Sequence, residues 1–463
     1  MKKVPVFLFM MFISLFLWAQ NNFDDFDDFV SNIQEPETME NMETMENNEY
    51  PEEPVGFRLK NRTVELSVAN IGIDASNNFI AAADIFKNPF YMLLHIKDVK
   101  QDPAFVYRDN IVIDIDDFLS GFKFNLNTAI KPFSFNFNRN DQWGFGFDIG
   151  NIDVMGNMFI SGKMMRLEQA EDEKFGVGGA VFADVGIPVF FHVNEYKVKI
   201  RPAAYVPIIY LEPNITYNNR DKGEGTYIEA IYNMRLYSIV DMDDDDIMKN
   251  LNDNARDIPR NNLGYDFALS VEYPLDYDID VGVNIVNIPV PFAAARLYYY
   301  AQVTGYAIID TSEIDISELG NQEMKEVLKN AWDDGGEHEI EYGYDPDGKK
   351  IYRPFSMLFY LNYRPYDSRT LSLIPSLGFS LNRLYSKVFS FEGGISARFD
   401  FANIFIPVFG INYNDRRWKN SIDLAFNLRA LELDFGVSTQ SQNLIKSFRG
   451  AGLGVNFGIK LGW

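Results

Sequence analysis

No cysteine occurs in the 463 residues, which removes disulfides, thiol catalysis, cysteine metal sites and any lipid attached through an N-terminal cysteine. Only three histidines are present, His95, His192 and His338, so imidazole chemistry has few places to sit. Past Trp18 there is no run of 18 apolar residues, and without one no membrane-spanning helix is expected. Positive charge is scarce as well: 42 Lys and Arg stand against 66 Asp and Glu, a formal net charge of −24. Phosphate backbones are held by a basic face, so nucleic acid is excluded as a partner.

Aromatic and apolar residues are what the chain has in quantity, with 40 Phe, 25 Tyr and a hydrophobic share of 47%. The start, "MKKVPVFLFMMFISLFLWAQ", places two lysines before an apolar run from Val4 to Trp18 and a small residue, Ala19. This predicts a secretory signal peptide over 1–19, cleaved after Ala19, rather than a membrane anchor, because the run is short and polar residues follow at once. From Gln20 to Pro54 there are 12 acidic residues and no basic ones. Such a segment buries too little apolar surface to offset its ordering entropy, so 20–54 reads as a disordered acidic leader. Within it "FDDFDDF" spaces Phe23, Phe26 and Phe29 three apart. That pattern is either a docking motif for a periplasmic partner or a solvated acidic stretch with incidental aromatics, the plainer reading and the one we favour.

From Val55 the texture changes to segments of 10 to 15 residues that alternate apolar and polar, separated by turn formers. "RTVELSVANIGI" (62–73), "GFKFNLNTAIKPFSFNFN" (121–138), "GFGFDIGNIDVMGNMF" (144–159) and "DIDVGVNIVNIPV" (278–290) are clear instances. Sixteen candidates arise in this way, among them 226–240, 264–273, 296–309 and 352–365. Soluble strands usually run five or six residues, whereas these have the length needed to cross a bilayer at a tilt. One face is apolar and the other carries Asn, Gly, Ser, Asp and Arg, as a lipid-out, polar-in barrel requires. The predicted fold is therefore all-β: a transmembrane, antiparallel, up-and-down β-barrel of about 14–16 strands over 55–463.

The last residues read "GLGVNFGIKLGW". Leu453, Val455, Phe457, Ile459, Leu461 and Trp463 are apolar, and Gly454, Asn456, Gly458, Lys460 and Gly462 are not, which is the period of a strand. An alternating final strand that stops on an aromatic residue resembles the signal by which the barrel-assembly machinery recognises outer-membrane clients, and those six apolar residues are the candidate assembly signal. The resemblance implies a bacterial outer-membrane protein whose last strand pairs with its first, with the outer-membrane lipid bilayer and the assembly machinery as its partners. If Trp463 ends at the periplasmic rim, alternation puts the long insert 311–350 outside and the links 365–370 and 401–403 inside. The stretch 241–262 then falls on the periplasmic side, where turns are normally short.

The stretch 74–120 is not strand-like, and "NNFIAAADIFKNPFYMLLHIKDV" and "IDIDDFLSGF" read as short amphipathic helices. A helical plug placed early in a barrel of this size is similar in layout to the FadL-like transporters of long-chain fatty acids. That resemblance implies a passive channel or hatch-gated transporter, with hydrophobic solutes as the cargo class. The alternative is a surface-exposed structural or adhesion barrel that binds a partner through its extracellular loops.

Motifs that carry chemistry are few. "DMDDDD" (Asp241, Asp243–Asp246) lacks the turn glycine and distant glutamate of a calcium loop and reads as a solvated loop. "YDPDGKK" (344–350) reads as a turn, and "GVGG" (176–179) sits in a strand pattern with no helix after it to hold phosphate. None of the three histidines has an evident serine partner, so no catalytic, metal or cofactor residue is assigned. Arg201, Arg235, Arg296, Arg353 and Arg364 fall within or beside strands. They form either a basic ladder that lines the lumen and attracts anions, or partners for lumenal carboxylates or side chains that snorkel at the interfaces.

Overall fold

The computed structural model describes residues 63–77, 80–82, 105–108, 111–114, 121–139, 142–161, 173–212, 215–221, 226–242, 262–290, 292–310, 338–365, 370–384, 388–414, 417–428, 430–441, 444–448 and 452–463. The expected signal peptide, acidic leader and most of the insert 311–350 lie outside the described residues.

Twenty stretches of strand join in one antiparallel sheet that closes on itself, and in tandem they make fourteen barrel strands. The first is β1 (Val64–Asn77). Three short strands follow, β2 (Ile80–Ala82), β3 (Phe105–Arg108) and β4 (Ile111–Asp114), and form a separate small sheet. The stretch 74–120, expected to lack strands, in fact contains them: 74–77 completes β1, Ile80–Ala82 lies within the segment expected to be helical, and β3 and β4 follow; the rest of the expected helical segments lies outside the described residues. The second barrel strand is β5 (Gly121–Lys131) continued by β6 (Phe133–Arg139). Both pair with β1, and the break between them falls at Pro132, which has no N–H for the ladder.

The third barrel strand is β7 (Trp143–Ser161), and the fourth is β8 (Glu173–Gly186) with β9 (Val189–Val193). The fifth is β10 (Tyr196–Glu212) with β11 (Ile215–Asp221). The sixth, seventh and eighth are each split at mid-height. They are β12 (Thr226–Ser238) with β13 (Gly264–Asp276), β14 (Ile279–Pro289) with β15 (Ala295–Asp310), and β16 (His338–Ile351) with β17 (Phe355–Tyr363). The remaining six are simple: β18 (Leu371–Leu381), β19 (Phe389–Phe399), β20 (Phe405–Asn414), β21 (Arg417–Leu428), β22 (Leu431–Ser441) and β23 (Gly452–Gly462).

Sixteen expected strands become fourteen because two pairs are halves of one strand. Ser238 at the end of β12 pairs with Ile209, and Gly264 at the start of β13 pairs with Tyr205, both on β10. The chain leaves the wall and returns to it a few residues further along the same neighbour. The stretch 241–262 is thus an excursion from mid-strand and not the periplasmic turn that the count of sixteen required. In the seventh strand the break between β14 and β15 follows Asn287, at φ 54°, and Pro289. Residues 338–350, expected in an external loop, belong to β16, which pairs with β15. "YDPDG" is an outward bulge of that strand opposite Tyr298, with Gly348 at φ 64° and the Asp347 N–H donating to Asp345 Oδ1 at 3.0 Å.

The seam is closed by the terminal strand. β23 pairs with β22 on one side and with β1 on the other, from Ser76↔Gly452 to Glu65↔Gly462. Val64 and Trp463 then exchange two backbone hydrogen bonds of 3.1 Å each. An even strand count brings both ends of the barrel to one rim, and the hairpins 414–417 and 441–452 to the other.

Alternation sets the two faces. Ile73, Phe145, Val185, Phe359, Leu377, Ile395 and Phe435 point outward and are exposed, while Asn151, Asp184, Asp266, Ser380 and Glu392 point inward and are buried. A soluble barrel would have these faces exchanged; an apolar outer wall is what hydrocarbon surroundings require.

Candidate functional site

The interior is not uniform. Toward the rim that carries Trp463 it opens to solvent: Asn284 of β14 and Asn456 of β23 face inward and are exposed. At mid-height, along the third to eighth barrel strands, it is filled by a layer of charge beneath a layer of apolar side chains.

Arg353 is the hub of the charged layer. It stands in the break between β16 and β17, next to Pro354, where the ladder is interrupted and the backbone can turn its side chain across the lumen. Its Nε and Nη2 donate to both oxygens of Asp266 at 2.8 and 2.7 Å, and its Nη1 donates to Asp184 Oδ2 at 2.5 Å. Arg353, Asp184 and Asp266 are each only 4% exposed at the side chain. Arg201 on β10 bridges Asp148 of β7 at 2.7 Å and Asp184 of β8 at 2.5 Å. Asn151 adds a third donor to Asp184 at 3.1 Å, and Asp153 lies 4.0 Å from Arg353. Two guanidiniums thus hold four carboxylates from strands that are far apart in sequence. The guanidinium plane suits this task because one fork can engage both oxygens of one carboxylate and still donate to a second.

Two local features make room for these side chains. Tyr205 lies across Gly264 and Arg201 across Gly186, and at either glycine a Cβ would collide with the overlying group. Tyr205 also stacks under the Arg353 guanidinium at 5.2 Å and donates to the Ile351 carbonyl at 2.9 Å.

Above this layer, away from the Trp463 rim, Ala180, Phe182, Tyr205, Tyr210, Tyr237, Ala295, Leu297, Ile351 and Leu384 form a continuous buried cluster, with Met155 and Tyr300 against it. These positions face the lumen, where a water-filled barrel would carry polar groups. Leu384 comes from the β18–β19 turn, which folds inward rather than standing at the rim. Asn157 on β7 donates to its carbonyl at 2.5 Å. Arg235 packs on Tyr300 at 4.9 Å and donates to Gln302 Oε1 at 3.1 Å.

On the other side of the barrel the interior is polar. Asp74 of β1 accepts from Lys419 at 2.9 Å and from Gln440 at 3.1 Å, and Arg417 donates to Ser76 at 2.9 Å. Gly454 permits this, since a Cβ there would strike Asp74 and Ser438.

The five arginines singled out in the sequence separate clearly. Arg201, Arg353 and Arg364 are paired with carboxylates, the last with Asp280 at 3.2 Å. Arg235 is held by an amide, and Arg296 donates to the Asp347 carbonyl at 2.6 Å. Three of the five are thus partners of carboxylates, and the other two meet neutral oxygens. The aspartates that matter, Asp184 and Asp266, have no local signal, because each meets Arg353 only through the closed sheet. His192 is exposed on β9 and its imidazole has no hydrogen-bond partner among the described residues; His95 and Asp243–Asp246 lie outside those residues. The expected assembly signal is placed on the outer wall: Leu453, Val455, Phe457, Leu461 and Trp463 are exposed and Ile459 is half-buried.

No family model and no curated protein matches the chain. Solved structures that resemble it include the toluene transporter TodX of P. putida, at 9% identity over 89% of this chain and 91% of that one, with a TM-score of 0.41. The toluene transporter TbuX of Ralstonia pickettii shares 8% identity over 86% and 89%, with a TM-score of 0.39. A Pseudomonas aeruginosa FadL homologue shares 10% over 86% and 89%, with a TM-score of 0.38.

Proposed function

We propose that the chain is an outer-membrane barrel that passes small hydrophobic solutes, with the segment between β1 and β5 acting as a hatch in the lumen. The observation that carries this is the inward-facing cluster around Phe182, Tyr210, Tyr237, Leu297 and Leu384. A water-filled pore has no use for aromatic and aliphatic groups on its inner wall, whereas a hydrophobic solute that leaves water there gains about 25 cal/mol for each Å² buried. The charged layer below supports a narrow route, since Arg353 cross-links strands that a wide pore would leave apart.

In this reading the chain lies with the Trp463 rim in the periplasm. The six apolar residues from Leu453 to Trp463 are read by the barrel-assembly machinery, and the acidic leader is the segment that a periplasmic partner would meet. The test is uptake by reconstituted protein: vesicles carrying the barrel should take up a monoaromatic hydrocarbon faster than empty vesicles and should not swell in a sugar. Swelling in sugar would replace this reading with an aqueous pore. The filled interior also suits a surface-display barrel that binds a partner through its loops, and uptake of neither solute would favour that second reading.

A further inference from the structure

The loop between β22 and β23 does not stand clear of the wall. Its helix α1 (Leu444–Ser447) lies against the outer face of β21 and β22. Asn420, outward on β21, donates to Ser447 Oγ at 2.7 Å, and Ser447 is 0% exposed. Thr439 and Ser441, also outward, are buried beneath the same loop. Below it a trough of about 240 Å³ runs across five strands, β18 to β22, lined by Leu373, Ala397, Phe409, Ile411 and Val437 and by Phe448 from the loop. Its position is settled by register. Ala397, Phe409, Ile422 and Val437 pair in one row with Val455, and Ile395, Ile411, Asn420 and Thr439 in the next with Leu453, and both Val455 and Leu453 face outward.

We infer that this trough holds one acyl chain of a membrane lipid, clamped by Phe448. The inference rests on the membrane orientation proposed above. The occupant follows from continuity: the trough opens from the apolar outer wall, so hydrocarbon chains are what lie against it. Its volume is below that of sites for drug-sized ligands, about 300–1,000 Å³, and suits one chain. Val437 is four residues from the end of β22 at Ser441, a distance of about 13 Å at ~3.3 Å per residue. Val437 is thus close to the middle of β22 and Thr439 nearer that end, so the trough runs from mid-height toward the side opposite Trp463, the outer side in this orientation.

The experiment purifies the full-length barrel from its own membranes, washes it in a competing detergent, and counts the lipid molecules that remain per barrel by mass spectrometry. Heat-modifiable migration on gels reports the fold of each sample separately. The native chain should retain about one lipid molecule per barrel. Ala397→Trp, which fills the trough, should lower retention at least fivefold with heat-modifiable migration intact. Should that variant fail to fold, Phe448→Ala leaves the wall untouched and should speed lipid loss severalfold. Equal retention in folded Ala397→Trp, unchanged loss from Phe448→Ala, or only detergent in the native protein would overturn the inference. Those results leave solute uptake and heat-modifiable migration unaltered, whereas failure of the membrane reading removes both.

Discussion

Replacing Arg353 with Met tests the charged layer directly. The substitution keeps much of the aliphatic length and removes three hydrogen bonds, of 2.8, 2.7 and 2.5 Å. Both partners are 4% exposed, and breaking a buried pair by removing one member costs about 3–5 kcal/mol. The loss falls unequally. Asp184 keeps Arg201 and Asn151, while Asp266 is left with no side-chain donor among the described residues. Asp266→Asn in the same chain should therefore recover about 2 kcal/mol, because a neutral amide costs less to bury than an unpaired carboxylate. Urea titration of the barrel in phospholipid vesicles, followed by tryptophan fluorescence, measures both variants. A loss under about 1 kcal/mol for Arg353→Met, or no recovery on adding Asp266→Asn, would refute the view that Arg353 is the hub that cross-links these strands.

Leu384→Ala, at the tip of the turn folded into the lumen, should cost about 2–5 kcal/mol and raise the conductance of reconstituted barrels; unchanged conductance would mean that the turn does not obstruct the passage. Trp463→Ala should lower the fraction of inserted barrel far more than the stability of barrel already formed, since one aromatic contributes only about 1.5–3 kcal/mol by burial. Equal insertion with Lys460→Ala, whose side chain is inside between Glu432 and Asp434, would withdraw the assembly role of the outer residues. Deleting 20–54 should leave the urea midpoint unchanged, and a shifted midpoint would show that the leader packs on the barrel. On intact cells a protease should cut between Asp310 and His338, whose strands end at the rim opposite Trp463, and should spare 241–262, which begins and ends at mid-height in the wall. Protection between Asp310 and His338, with cleavage instead in the links 365–370 or 401–403 at the Trp463 rim, would turn the barrel over.

What the sequence displayed was local. Period-two alternation is a property of neighbouring residues, so the strand from Leu453 to Trp463 and the two faces of the wall were legible, and so was the bilayer-spanning length of β7 and β10. Fourteen strands lie within the 14–16 expected, but which segments were halves of one strand was not legible. That Ser238 and Gly264 face residues of the same neighbour, β10, is a fact about pairing, and pairing leaves no mark in either segment alone. The arginines could be recognised as interior cations, but Asp184 lies 169 positions from Arg353, and no spacing rule reaches that far. The inward turn at Leu384 was hidden for a different reason: "NRLYSKV" has the composition of an ordinary exposed hairpin, and only the apolar surface waiting on β8, β10 and β15 makes burial of its leucine favourable.

The seam between β1 and β23 has a consequence for the order in which the molecule forms. Every other neighbouring pair in the barrel can zip from a hairpin or a nearby connection, but Glu65 and Gly462 must find one another across almost the whole chain. Loop-closure entropy makes such a contact late and slow. Until it is made, β1 and β23 are both unpaired edges, each with a row of free N–H and C=O groups that hydrocarbon cannot satisfy and that another copy of the chain could. The hazardous interval ends when Trp463 bonds to Val64, so the residue that completes the wall also removes the last site at which two unfinished barrels could join.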